Sequence, residues 1–236
     1  MKKYLYNIAM VVIVATIAIS LTSCDKDSDS AFAEPQAVTP ETPTHEYVDL
    51  GLSVKWATCN VGAEKPEEYG DYFAWGETAP KSDYNWSTYK FTTYGVGDTS
   101  TKYTGSDKTV LDAEDDAATA NWGSAWRMPT YEEVQDLLDN CTWEWQAAGN
   151  TTFGGVAGYK VTSKKTGYTD KYIFLPAAGG RSGTDVFDAG SWCRYWSSSL
   201  VADSPVFAYS TIFGSEYKIG GNCFCDIGFT VRPVCP

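Results

Sequence analysis

The chain is poor in the residues from which many catalytic and metal sites are built. It holds one histidine, His45, in 236 residues. A serine or cysteine nucleophile needs a base to take its proton, so a single histidine at the edge of the globular region leaves no Ser–His or Cys–His pair within it. No CxxC pair occurs, which removes the common zinc arrangements. Basic residues are also scarce: 18 Lys and Arg stand against 30 Asp and Glu, for a formal net charge of −12. A surface this acidic repels phosphate backbones and argues against nucleic-acid partners. Long aliphatic runs with helical spacing are rare. Beyond residue 23 no segment is apolar enough to span a bilayer.

The strongest positive signal is the first two dozen residues. Met1-Lys2-Lys3 is a short basic start, Ile8 to Ile19 is an almost unbroken apolar run, and Leu21-Thr22-Ser23-Cys24 closes it with small residues and a thiol. This order reads as a secretory signal over 1–23, and its exit resembles a bacterial lipobox. That resemblance implies cleavage before Cys24 and attachment of diacylglycerol to its sulfur, so that several acyl chains, palmitate among them, anchor the residue. Each buried methylene contributes about 0.8 kcal/mol, so several chains hold a domain durably at a membrane. Residues 24–44 follow as a tether: Asp25-Lys26-Asp27-Ser28-Asp29-Ser30, then Pro35, Pro40 and Pro43 among small and polar residues. Such a stretch buries too little apolar surface to fold. The acidic run after Cys24 resembles a surface-export signal, which favours an expected domain, 45–236, on the outer membrane facing the exterior; under other sorting rules Asp25 beside the lipidated cysteine would retain it at the inner membrane.

The remainder is rich in rings, with nine Trp and sixteen Tyr. This composition favours short strands and turns over a helical bundle. Ser53 to Cys59, Asp71 to Trp75, Tyr195 to Ser199, Phe207 to Phe213 and Gly228 to Val234 read as strands. Tyr159–Thr162 and Tyr172–Leu175 read as a hairpin. Residues 80–108 read as a long loop. Asp112, Glu114, Asp115 and Asp116 precede an alanine-rich helical turn, where acids favour the helix N-terminus. They lack the spacing of a calcium loop, so no metal is expected. Thr130 and Glu133 form a capping box for a helix over Tyr131 to Asn140, with Val134, Leu137 and Leu138 as its apolar stripe. Six cysteines remain after Cys24. An even count in an exported chain permits disulfides, and the expected pairs are Cys59 with Cys141, and Cys193 with Cys223 or Cys225. Cys223 and Cys225, two residues apart, are not expected to pair with each other.

Six phrases taken in order carry a resemblance to one family. They are Glu46 to Ala57 (EYVDLGLSVKWA), Gly70 to Glu77 (GDYFAWGE), Trp126 to Thr130 (WRMPT), Leu175 to Gly179 (LPAAG), Tyr195 to Ser199 (YWSSS) and Val231 to Val234 (VRPV). Together they resemble the Fibrobacter succinogenes major paralogous domain. The family in turn is similar in pattern to the C-type-lectin-like fold of formylglycine-generating-enzyme domains. The resemblance implies an α+β architecture, with two helices flanking a small, twisted, mainly antiparallel sheet and much irregular chain. Formylglycine-generating enzymes use two cysteines with four residues between them. Cys223-Phe224-Cys225 has one residue between, so that activity does not carry over.

The expectation is therefore a lipid-anchored, non-catalytic domain without cofactors that binds a glycan or protein ligand. Two segments read as binding loops that mix rings, polar groups and glycine: 181–194, with Arg181, Asp185, Asp188, Trp192 and Arg194, and 214–226, with Glu216, Tyr217, Asn222 and Phe224. Two rival expectations are a structural or assembly component of the envelope, and an enzyme dependent on carboxylates or cysteines. The anchor makes a direct prediction. Cys24→Ala should move the protein from the membrane fraction to the soluble fraction, and protease added to whole cells should digest the parent; retention of the variant on the membrane would refute the lipid link.

Overall fold

The computed structural model describes residues 44–91, 103, 108–202, 204 and 206–236. The expected signal over 1–23, Cys24 and the expected tether up to residue 43 lie outside the described residues, as do 92–102 and 104–107 of the expected loop. In chain order the strands are β1 (Tyr47–Val48), β2 (Lys55–Ala57), β3 (Cys141–Gln146), β4 (Gly158–Ser163), β5 (Tyr172–Pro176), β6 (Gly180–Ser182), β7 (Asp185–Phe187), β8 (Trp192–Leu200), β9 (Phe207–Gly214), β10 (Lys218–Phe224) and β11 (Val234–Cys235). The helices are α1 (Ala117–Trp122) and α2 (Tyr131–Asn140).

The local signals explain the helices. Asp116 caps α1 by accepting from the Thr119 amide at 2.9 Å. At α2 the capping box is complete: the Glu133 amide donates to Thr130 Oγ1 at 3.3 Å, and the Thr130 amide donates to Glu133 Oε2 at 2.8 Å. Val134 and Leu137 are buried on its inner face and Leu138 partly so. Tyr131 lies against Tyr209 of β9 with ring centroids 4.2 Å apart. The expected hairpin also forms, β4 pairing with β5 in the register Tyr159↔Leu175 and Val161↔Ile173.

The expected fold class does not hold. The strands divide among four small antiparallel sheets, ordered β1-β2-β11, β10-β9-β8, β3-β4-β5 and β6-β7. They are not one sheet between two helices. α1 has six residues and packs beside the short 3-10 turn at Ala113–Asp115, while α2 packs on β8 and β9. The cause is visible in the chain: its apolar residues alternate in short aromatic stretches, a pattern that suits narrow sheets and leaves little helix to cover a broad one. The expected strand at Asp71–Trp75 shrinks to one bridge, Phe73 to Phe229, with reciprocal hydrogen bonds of 2.9 and 3.0 Å.

β8 holds the core together. Its alternation sends Cys193 and Tyr195 into a cluster with Trp56, Leu137, Val161, Leu175 and Phe213. It sends Trp196 and Leu200 into a second cluster with Trp75, Tyr84, Tyr89 and Phe229. Both large indoles of the second cluster are satisfied, Trp75 Nε1 donating to the Ser197 carbonyl at 3.0 Å and Trp196 Nε1 to the Phe73 carbonyl at 2.8 Å.

All six described cysteines are free thiols, so neither expected bridge forms. Cys193 lies opposite Phe213 and Cys223 opposite Ala208, five residues apart along β9. At about 3.3 Å per residue they are roughly 16 Å apart along the strand, beyond the reach of a disulfide. Cys59 sits in the segment clasped by Arg232, whereas Cys141 opens β3 opposite Ser163. Cys223 is half-buried on β10 and Cys225 fully buried just past its end, and the two thiols do not pair with each other.

The two ends of the domain meet at a buried arginine. β2 is central in its sheet and pairs with β11 in the register Trp56↔Val234. Arg232, 1 % exposed, donates from Nε to Asn60 Oδ1 at 2.8 Å, from Nη1 to the Ala57 and Thr58 carbonyls at 3.1 and 2.8 Å, and from Nη2 to the Phe174 carbonyl at 2.9 Å. Burial lowers its pKa from the ordinary arginine value. Replacing it would strand several buried acceptors, each costing about 1–3 kcal/mol. Arg232→Met should therefore lose at least about 3 kcal/mol of stability in urea unfolding, with Arg232→Lys only partly better because an ammonium cannot reproduce the fork; unchanged midpoints would refute the clasp.

Candidate functional site

A cleft of about 320 Å³ opens where three turns and strands converge, and it is lined by Trp145, Gly190, Ser191, Trp192, Gly214, Ser215, Glu216 and Tyr217. It brings Trp192 from one expected stretch together with Glu216 and Tyr217 from the other.

The Trp192 wall is built from the turn that precedes β8. Asp188 adopts a left-handed backbone (φ 58°), a conformation that aspartate tolerates better than most side chains. Its carbonyl accepts from the Ser191 and Trp192 amides, both at 3.0 Å, and the Gly190 amide donates to the Ala177 carbonyl at 2.7 Å. The Asp188 carboxylate accepts from Arg194 Nη2 at 2.6 Å, and the Arg194 guanidinium lies 5.8 Å from the Trp192 ring centroid. Asp188 and Arg194 thus support Trp192 rather than line the cleft. Across the ladder Trp192 faces Gly214, where an added Cβ would come within 2.9 Å of the indole. Glycine there lets the ring lie flat on the β9 backbone.

The opposite wall is the three-residue turn 215–217 between β9 and β10. The Gly214 amide donates to the Tyr217 carbonyl at 2.9 Å and closes it, leaving the Tyr217 ring 58 % exposed. Trp145 supplies the third wall from β3. Its ring meets Tyr159 of β4 edge-to-face, with centroids 5.1 Å apart, and the Tyr159 hydroxyl donates to the Gly214 carbonyl at 2.8 Å. Tyr159 therefore joins the β3-β4-β5 sheet to the β10-β9-β8 sheet at the cleft, and burial raises its pKa. Trp145 was not among the expected site residues. The alternation of Trp143 and Trp145 on one strand face was the signal available.

The remaining expected residues lie elsewhere. The 214–226 stretch is not one loop, because Lys218–Phe224 is the edge strand β10. Seven residues of strand carry Phe224 roughly 23 Å from Tyr217. Phe224 stacks on Phe207 at 4.4 Å and meets Trp86 edge-to-face at 6.0 Å. Asn222 is exposed on β10. Likewise 181–194 is largely strand: Arg181 and Asp185 sit on the β6–β7 hairpin, Arg181 with its guanidinium 5.6 Å from the Tyr84 ring centroid.

The serines of the 197–199 run and Asp115 are committed to the fold. Ser197 Oγ donates to the Tyr209 carbonyl at 2.9 Å, Ser198 Oγ to the Pro129 carbonyl at 3.2 Å, and Ser199 Oγ accepts from the Tyr131 amide at 3.0 Å. Asp115 takes Lys90 and the Tyr103 hydroxyl, both at 2.6 Å. Among the described residues no group of three or more His, Cys, Asp or Glu is placed to hold a metal ion, and no helix is long and apolar enough to cross a membrane. No protein-family model, curated protein or solved structure matches the chain.

One acid stands apart from these. Asp226 is 5 % exposed and its Oδ1 has no hydrogen-bond partner. Burial pushes its carboxyl up to about 6, against a smaller downward pull from Lys81. A carboxyl with a raised folded pKa holds its proton more tightly in the folded state, so its contribution to stability declines as pH rises from about 4 through about 6. Asp226→Asn should be more stable than the parent at pH 8 and lose that advantage toward pH 4, read from paired urea titrations; a gap independent of pH would show that the carboxyl is not held up by burial.

Proposed function

We propose that this domain is a non-catalytic recognition module that binds carbohydrate in the Trp145–Trp192–Tyr217 cleft, carried at the outer membrane by lipid on Cys24. The observation that carries the reading is the set of unused groups in the cleft. The indole N–H groups of Trp145 and Trp192, the hydroxyls of Ser191, Ser215 and Tyr217, and the Glu216 carboxylate make no hydrogen bond or ion pair with other described residues. The three rings do not touch one another, so space is left between their faces.

That combination suits a sugar. The apolar C–H face of a pyranose stacks on an indole or phenol, and its hydroxyls need donors and acceptors at the rim. Trp192 is held in place by Gly214 and Arg194, and Trp145 by Tyr159, so two of the rings are already oriented before a ligand arrives. Pre-ordering of this kind reduces the entropy cost of binding. The non-catalytic part of the reading is supported by the lining itself. Glu216 is the one carboxylate there, whereas glycoside hydrolysis generally calls on two. The six sequence phrases support placing the chain with the major paralogous domains, and this placement is part of the proposal.

A glycan array probed with the purified full chain tests the reading. A retained glycan should lose about thirtyfold in affinity on Trp192→Ala and about tenfold on Trp145→Ala, as expected for ring anchors, while Phe224→Ala should leave it unchanged. Melting curves of each variant separate lost binding from lost fold. Equal binding by folded Trp192→Ala and Trp145→Ala proteins would refute the cleft.

A further inference from the structure

We propose that the sugar taken by this cleft carries a free ammonium group, with Glu216 as its counter-ion and the rings of Trp192 and Tyr217 as its cation-stabilising walls. The inference rests on the reading of the cleft as a carbohydrate site.

The charge pattern of the lining carries it. Glu216 is the single charged side chain among the lining residues, and it has no ion-pair partner among the described residues. The nearby cation, Arg194, is already neutralised by Asp188 at 2.6 Å. Backbone amides that could receive an anion are also taken on the Trp192 side. The Gly190, Ser191, Trp192 and Gly214 amides are all spent on carbonyls of the turns that build the walls. An acidic sugar would meet a lone carboxylate inside a protein of net charge −12, with no backbone amides free on that side to receive it. A neutral sugar would donate hydroxyls to the carboxylate but leave its charge without a counter-ion.

An ammonium uses both features at once. The face of an indole or phenol attracts a cation through its quadrupole, more strongly as water is displaced. A carboxylate at the same rim adds direct charge complementarity, which acts mainly on specificity and on association rate. An amino sugar also presents the C–H face that the rings require. It therefore uses every exposed group of the cleft, where choline would use the rings and the acid but leave the serine hydroxyls and indole donors without partners.

Calorimetry on the full chain, solubilised in detergent, with four probes decides the matter: tetrasaccharides of glucosamine, of N-acetylglucosamine and of glucose, together with choline. The glucosamine probe should bind on the order of tenfold tighter than its acetylated and neutral counterparts, and Glu216→Gln should erase that margin while leaving the neutral sugars unchanged. The margin should also shrink with added salt. Neutral or acetylated sugars binding as tightly as glucosamine, or a preference that survives Glu216→Gln, would overturn the ammonium assignment and leave the carbohydrate reading standing. Choline binding as tightly as the glucosamine probe would overturn the amino-sugar assignment. Failure of all four probes would overturn both this inference and the carbohydrate reading.

Discussion

A guanidinium with almost no access to water fixes the frame of this domain. Arg232 carries its charge at 1 % exposure, and its donors go to three backbone carbonyls and an asparagine side chain rather than to a carboxylate. A buried cation is tolerated only when its donors are satisfied, so the carbonyls of Ala57, Thr58 and Phe174 must all be held at the right distances together. Those residues belong to the beginning of the domain and to β5, while Arg232 belongs to its end. The arginine therefore forces three distant segments into one arrangement. β5 is buried along nearly its whole length because Ile173 and Leu175 face one cluster and Phe174 lies on Phe153, with ring centroids 4.0 Å apart.

From that frame the constraint reaches the cleft through a short series of contacts. β5 pairs with β4, which carries Tyr159, and the Tyr159 ring supports Trp145 while its hydroxyl holds the Gly214 carbonyl. Gly214 is the position on which Trp192 lies. Two of the three ring walls thus depend on packed β-structure, and the third, Tyr217, on a three-residue turn closed by one hydrogen bond. A cleft with two fixed rings and one on a surface turn can adjust its width at one side without disturbing the core.

Features that depend on near neighbours in the chain were legible from the residues. The Thr130–Glu133 capping box, the Asp116 cap and the β4–β5 hairpin all form, because each is decided within a few residues by hydrogen-bonding chemistry and side-chain period. The residues of the cleft were legible in part. Trp192, Glu216 and Tyr217 do come together. Phe224 and Asn222 do not join them, because reading 214–226 as a loop missed that glycines and a cysteine at 220–223 pair in register with β9. Trp145 was missed because its partners, Tyr159 and the 215–217 turn, are remote in sequence. The disulfide expectation failed for the same kind of reason: a count of cysteines carries no distances, and register along β9 keeps Cys193 and Cys223 apart.

By itself the sequence determined the acidic balance, the absence of a histidine-based catalytic pair, the export-type leader pattern, the caps and the alternation that makes short strands. These are properties of composition or of nearest neighbours, and they hold whatever the chain does at long range. Only the tertiary structure decided that the strands divide among four sheets, that both core clusters share β8, and that two tryptophans and a tyrosine frame one carboxylate. Each of those outcomes depends on which buried groups can be satisfied simultaneously. Contacts between segments as distant as Arg232 and Ala57 are set by packing and hydrogen-bond completion across the whole domain, which no local pattern records.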